Sequence, residues 1–115
     1  MFLERVEIDV REGQVPAFEA ALLEVRQRVF MFPGFRRFTV FQDLERPSSY
    51  VVHVQWESVE ELVEYSGSDR YERSWSPIQP YLDRAPRVAR YVERDGLDLQ
   101  GPGVVTDFSW MTDPP

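Results

Sequence analysis

The sequence contains no cysteine, no lysine and no asparagine, and His53 is its single histidine. Without cysteine the chain can form no disulfide, thiolate zinc site or cysteine nucleophile, and one histidine excludes a multi-histidine metal site within one chain. No apolar run approaches the roughly 18 to 20 residues of a membrane-spanning helix. Residues 1–10 are punctuated by charges and lack the apolar stretch of a signal peptide. We therefore expect a cytoplasmic protein that holds no metal.

Positive charge is also scarce. Thirteen basic residues, all arginine, stand against 20 acidic ones, which gives a net charge of -7 at pH 7. A surface of this sign repels nucleic acid and anionic membranes. We expect neither as a partner. The 115 residues fit one domain, and a hydrophobic content of 43% is enough to build a core.

The pattern of apolar residues divides the chain into strands and helices. Apolar and polar residues alternate as in half-buried strands over residues 2–10, 35–44, 50–57 and 87–93. Helical spacing covers residues 15–30 and 58–67, the second with Ser58 as its N-cap and Glu61 as the capping-box acid. Residues 68–82 continue near helical spacing, although Pro77 and Pro80 must break or reshape that helix.

The resulting order, βαββαβ, is typical of a ferredoxin-like α+β fold, with a four-stranded antiparallel sheet and two helices on one face. The alternation places the following residues on the other, uncovered face: Arg5, Glu7, Arg37, Thr39, Phe41, Val51, His53 and Gln55. This mixed surface predicts a homodimer that packs sheet on sheet. After the domain of residues 1–93, a C-terminal extension of residues 94–115 carries Phe108 and Trp110, and we expect it to pack on a surface, the partner's included.

One stretch carries a family resemblance. The run from Trp56 to Leu62, with Tyr65, Ser68 and Tyr71 after it, is similar to the "W-x-S-x-E-x-L … H-x-x-S-x-x-F" stretch of antibiotic biosynthesis monooxygenase domains. Two shorter family motifs, x-P-G-F and G-x-x-x-x-F, resemble residues 32–35 and 13–18. Together the similarities cover about the first 93 residues. They imply a dimeric α+β barrel, a superfamily with several chemistries.

Two subfamilies make different demands on these positions. Haem-degrading members carry an asparagine, a tryptophan and a haem-ligating histidine where this chain has Val6, Tyr65 and Trp75, so haem degradation is not expected. The quinone-forming monooxygenases oxidise anthrone-like polyketides without metal or flavin. Resemblance to them implies catalytic roles for Tyr65, Tyr71 and Arg84, with Arg87 as the alternative arginine. Their asparagine would fall near Glu61, and this chain has no asparagine.

We therefore expect a cofactor-independent monooxygenase that acts on a polycyclic aromatic, polyketide- or quinone-like molecule. Its dry aromatic pocket would lie between sheet and helices. Predicted substrate-binding residues are Ile8, Phe38, Tyr50, Trp75 and Arg87. Trp56 is predicted to be core, Glu61 to cap or face solvent, and His53 to lie on the dimer-facing side.

Two alternatives stay open. Residues 68–82 and the terminal Phe108-Ser109-Trp110 resemble tetracenomycin-type polyketide cyclases, which would replace oxygen chemistry by ring closure. The missing asparagine and haem-ligating histidine also suit a non-catalytic dimer that binds a small ligand.

Overall fold

A computed structural model describes residues 1–99 and 101 of the chain. Its strands are β1 (Phe2–Asp9), β2 (Phe35–Gln42), β3 (Ser49–Trp56) and β4 (Arg87–Val92). Its helices are α1 (Val15–Phe30), α2 (Val59–Gly67) and α3 (Tyr71–Trp75), with a 3₁₀ helix (Ser76–Tyr81) directly after α3. The predicted element order is confirmed. Most of the C-terminal extension, with Phe108 and Trp110, lies outside the described residues.

The strands form one open sheet in the order β2-β3-β1-β4, and every neighbouring pair is antiparallel. This is the ferredoxin-like α+β topology that the sequence predicts. Residues 68–82 form two short pieces instead of one helix. The 3₁₀ helix has Pro77 in its first turn, where a backbone N–H has no acceptor within the helix, so the missing N–H of proline costs nothing there. Pro80 lies inside the same helix.

Local sequence explains how α1 and α2 are positioned. The Ser58 side chain accepts a hydrogen bond from the Glu61 amide at 3.3 Å, so the predicted N-cap of α2 is confirmed. Gly34 lies between α1 and β2 with a φ of 83°. A Cβ at Gly34 would lie 1.6 Å from the Glu61 carboxylate, so both the backbone angle and the close approach of α2 require glycine there.

The core lies between the sheet and the helices. Trp56 is fully buried, as the sequence predicts, and α1 contributes Phe18, Val25 and other buried residues. Val6 and Ile8 of β1 point into this core. The same alternation also sends Glu4 inward, where its exposed fraction is 0%. A carboxyl group there needs polar partners, because burial without them is costly.

Among residues 1–99 and 101, no helix covers the opposite face of the sheet. Strand registers place Arg5 beside His53, and His53 beside Thr39, in line with the alternation. Two aromatic side chains of this outer face, Phe41 and Tyr91, are about half exposed. None of the helices described is both long enough and apolar enough to cross a membrane.

Candidate active site

The Glu4 carboxylate is the centre of a buried polar cluster. The Tyr65 hydroxyl donates to its Oε1 at 3.0 Å, and the Tyr71 hydroxyl donates to its Oε2 at 2.9 Å. The Arg90 guanidinium donates to the same Oε2 at 3.1 Å. Trp75 extends the cluster, since its indole N–H donates to the Tyr65 hydroxyl at 2.7 Å. We call these five residues the Glu4 cluster.

Four elements bring the Glu4 cluster together. Arg90 of β4 lies directly opposite Glu4 of β1 in the antiparallel register. Tyr65 lies in α2, and Tyr71 and Trp75 are the first and last residues of α3. The break that follows Gly67 therefore matters, because it lets the two tyrosines approach one carboxylate from different helices.

Burial and the neighbouring polar groups shift the pKa of Glu4 in opposite directions. Burial raises the pKa of Glu4 above its ordinary value, while the hydrogen bonds from Tyr71 and Tyr65 and the positive charge of Arg90 lower it. Burial and the neighbouring Glu4 carboxylate raise the pKa of both tyrosine hydroxyls well above the usual range. Both tyrosines thus stay protonated near neutral pH and act as donors to Glu4.

A cavity of about 420 Å³ lies beside the Glu4 cluster, between β1, β4, α3 and the 3₁₀ helix. Its wall is mainly apolar, with Val6, Ile78 and Val88, and it also includes the charged residues Glu72 and Arg73. Tyr71 and Trp75 line this cavity as well as belonging to the Glu4 cluster. Its volume lies within the range of small-molecule sites, which combine an apolar wall with a few polar groups.

The predicted site residues fall into separate places. Tyr65, Tyr71 and Trp75 come together in the Glu4 cluster, and the Phe38 ring stacks on Trp75 with centroids 6.1 Å apart. A different cavity, of about 160 Å³ at the far end of β1, is lined in part by three other predicted residues: Ile8, Tyr50 and Arg87. The Tyr50 hydroxyl donates to Glu19 of α1 at 2.6 Å, and Glu19 does not line that cavity.

The two predicted arginines lie away from Tyr65 and Tyr71. Arg84 pairs with Asp9 at 3.4 Å, and Arg87 donates to Glu7 at 2.8 Å. Both side chains are about 60% exposed, at 62% and 59%. Arg90 contacts the tyrosines' shared carboxylate instead.

Glu4 and Arg90 were not predicted from the sequence, although a signal for them exists. Glu4 has the same strand parity as Val6 and Ile8, and Arg90 has the same parity as Val88. Two opposite charges on inward positions of paired strands indicate an ion pair; here Glu4 is buried and the Arg90 side chain is 43% exposed.

Glu61 and His53 lie outside the Glu4 cluster. The side chain of Glu61 packs against Gly34, and its Oε2 is buried with no hydrogen-bond partner among the described residues. His53 lies on the outer face, edge-on to Phe41 with ring centroids 5.0 Å apart. Burial and the nearby Arg5 lower the pKa of His53. Across residues 1–99 and 101, no three acidic or histidine side chains gather as a metal site would require.

Comparison with known proteins identifies a matching family and structures of similar fold. The model of the family described as "Antibiotic biosynthesis monooxygenase" matches residues 1–74. A crystal structure from Bordetella bronchiseptica, described as a candidate antibiotic biosynthesis monooxygenase, is 21% identical with a TM-score of 0.71, over 81% of this chain and 96% of that one. SnoaB from Streptomyces nogalater, a cofactor-independent oxygenase, is 14% identical with a TM-score of 0.69, over 84% and 95%. At such identities the two structures show the fold alone.

A curated relative is similar over part of its length. Protein SchA of Streptomyces halstedii is 27% identical over 84 residues, which is 73% of this chain. The chain spans only about a fifth of that relative, since the match covers 22% of it.

Proposed function

The chain belongs to the antibiotic biosynthesis monooxygenase family, and we propose that it is a cofactor-independent monooxygenase of polycyclic aromatic, polyketide- or quinone-like molecules. One observation carries this proposal: an apolar cavity of about 420 Å³ has Tyr71 in its wall, and the Tyr71 hydroxyl is bonded to a buried carboxylate. The description of SnoaB as a cofactor-independent oxygenase supports it.

Cofactor-independent oxygenation requires few protein groups beyond such a cavity. An electron-rich phenol or enol becomes reactive toward dioxygen once it loses a proton, because its anion can give up an electron. The protein must then exclude water, orient the ring system and take up the proton. The rings of Tyr71 and Trp75 offer flat apolar surfaces to a fused aromatic ligand. The Tyr71 hydroxyl, which donates to Glu4, is the polar group that we propose for contact with the ligand.

Oxygen uptake tests this proposal directly. The purified protein is assayed with a panel of anthrones and dihydroquinones, alongside Tyr71→Phe and the control Tyr91→Phe, which removes a hydroxyl from the outer face. We expect saturable uptake by the wild type and Tyr91→Phe. In Tyr71→Phe we expect a loss of about 10²-fold in kcat, the lower end of what proton transfer contributes. Tight binding without uptake would favour a polyketide cyclase or a ligand-binding dimer instead.

We also propose that the protein acts as a homodimer that packs sheet on sheet. The outer face of the sheet is uncovered in the described residues and carries half-exposed Phe41 and Tyr91. A closed two-fold dimer would bury Phe41 and Tyr91 of both subunits.

A further inference from the structure

We infer that Glu4 is the acceptor of the substrate's proton and that the Tyr71 hydroxyl passes the proton to it from the cavity. This inference rests on the proposed function for the identity of the substrate, an ionisable phenol or enol. It adds a proton acceptor in β1, outside the segment that carries the family motif of residues 56–71.

The first support is the isolation of Glu4 from solvent. Its exposed fraction is 0%, so a proton reaches it only through the side chains around it. Three side chains bond its carboxylate: Tyr65, Tyr71 and Arg90. Arginine stays protonated and cannot relay a proton. Tyr65 is 1% exposed and does not line the cavity. Tyr71 alone among the three both bonds Glu4 and lines the cavity.

The second support is the composition of the surroundings. Titratable or charged groups reach Glu4 from α2, α3 and β4, and they are Tyr65, Tyr71 and Arg90. On β3, the residue opposite Glu4 is the apolar Val54. Within the Glu4 cluster, as far as the described residues go, ionised Glu4 is therefore the one group that can gain and keep a proton. Glu72, a second carboxylate in the cavity wall, is exposed to solvent instead of enclosed by the cluster.

The transfer conserves atoms and charge. A substrate O–H bond breaks as an O–H bond forms on Tyr71, while the original Tyr71 O–H bond breaks and one forms on Glu4 Oε2. The substrate becomes an anion and Glu4 becomes neutral. The step is a proton transfer, in which nothing is oxidised or reduced. Arg90 keeps its positive charge. Once Glu4 is neutral, the Glu4 cluster keeps the positive charge of Arg90, and a net positive charge beside the cavity favours the substrate anion.

The first experiment measures the pH dependence of oxygen uptake for the wild type, Glu4→Gln and Glu4→Asp, with folding checked by circular dichroism. We expect Glu4→Gln to lose about 10²-fold in kcat with a KM within a few-fold of wild type. The acidic limb of the kcat profile should vanish in Glu4→Gln. Partial recovery in Glu4→Asp is expected, since its carboxylate is kept. A folded Glu4→Gln with near-wild-type kcat and an unchanged acidic limb would overturn the inference.

A second experiment needs no oxygen and so separates this inference from the proposed function. Under argon, 1,8-dihydroxyanthraquinone is bound to wild type and Glu4→Gln, and absorbance distinguishes its phenol from its phenolate. We expect bound phenolate in the wild type without proton release to a weakly buffered solution, and bound neutral phenol in Glu4→Gln. Three results would overturn the role of Glu4: equal amounts of bound phenolate in both proteins, bound neutral phenol in both proteins, or release of the proton to solvent. If the wild type shows no oxygen uptake yet passes this test, the proposed function fails and the proton acceptor stands.

Discussion

A single buried carboxylate ties together four elements of this fold. Glu4 of β1 is bonded by side chains of α2, α3 and β4, and each of these bonds joins elements far apart in sequence. Hydrogen bonds to a charged group are worth about 1.5 to 3 kcal/mol each, whereas an unpaired buried charge is costly. The Glu4 cluster therefore fixes where α3 lies relative to the sheet, and with it one wall of the cavity.

The raised pKa of Glu4 predicts a pH-dependent stability. A carboxyl whose pKa is higher in the folded state than the ordinary 4.5 contributes stability below that value and loses it as pH rises through the folded pKa. Glutamine cannot ionise, so Glu4→Gln lacks this loss. We expect the free energy of unfolding of Glu4→Gln, relative to wild type, to rise with pH from about 4.5 to the folded pKa and then level off. Urea titrations across this range measure the difference. Parallel curves for the two proteins would contradict the prediction.

At the scale of single residues, three of the five residues of the Glu4 cluster were predicted from the sequence. Tyr65, Tyr71 and Trp75 were predicted because a family motif and helical spacing drew attention to them. Glu4 and Arg90 were not, because a charged residue in a strand is normally assigned to solvent. Strand parity indicates their inward direction, but their pairing depends on strand register, which places Glu4 opposite Arg90 only once β1 and β4 are aligned.

The connection between α1 and β2 shows how one residue positions two elements. Gly34 has a φ of 83°, and the Glu57 amide donates to its carbonyl at 2.9 Å. A Cβ there would lie 2.7 Å from the Cβ of Glu61, an atom that cannot move unless α2 moves. The close fit of α2 against this turn thus depends on the absence of a side chain.

Gly34→Ala is accordingly expected to destabilise the protein more than Gly13→Ala. Gly13 has a φ of 79° with nothing within 4 Å of an added Cβ, so alanine there meets only the backbone penalty of about 1 to 2 kcal/mol. Gly34→Ala adds the overlap with Glu61, which we expect to cost about 1 to 3 kcal/mol more. Denaturant titration of both variants measures the difference. Equal losses would show that α2 shifts freely.

Most elements were predictable because their patterns are local. Alternation in β1 and β3, helical spacing in α1 and the Ser58 cap of α2 each depend on neighbouring residues. The structure of residues 68–82 was harder to predict. Pro77 and Pro80 indicate that the helix is interrupted, but they do not indicate which elements replace it. The chain forms α3 and a 3₁₀ helix, because Tyr71, Trp75 and Ile78 must all pack against the sheet's inner face.

The molecule as a whole presents two faces of different character. Helices cover the inner face of the sheet, whereas the outer face combines charged groups, such as the Arg5–Glu7 pair at 3.2 Å, with half-exposed Phe41 and Tyr91. A chain of net charge -7 repels its own copies at long range. Association therefore has to come from close contacts of apolar and paired groups. This face offers them on its two edge strands, β2 with Phe41 and β4 with Tyr91, and in the Arg5–Glu7 pair of β1.

The proposed dimer gives the last prediction. In a two-fold interface every substitution occurs twice, so Phe41→Glu would bring two unpaired charges into the contact. We expect sedimentation velocity to show a dimer for the wild type and a monomer for Phe41→Glu at the same protein concentration. Val63→Glu is the matched control, since Val63 is 62% exposed on α2, away from the outer face, and should leave the dimer intact. Dissociation by Val63→Glu but not by Phe41→Glu would place the interface on the helical side. If Phe41→Glu also keeps its oxygen uptake as a monomer, the cavity beside the Glu4 cluster is complete within one chain.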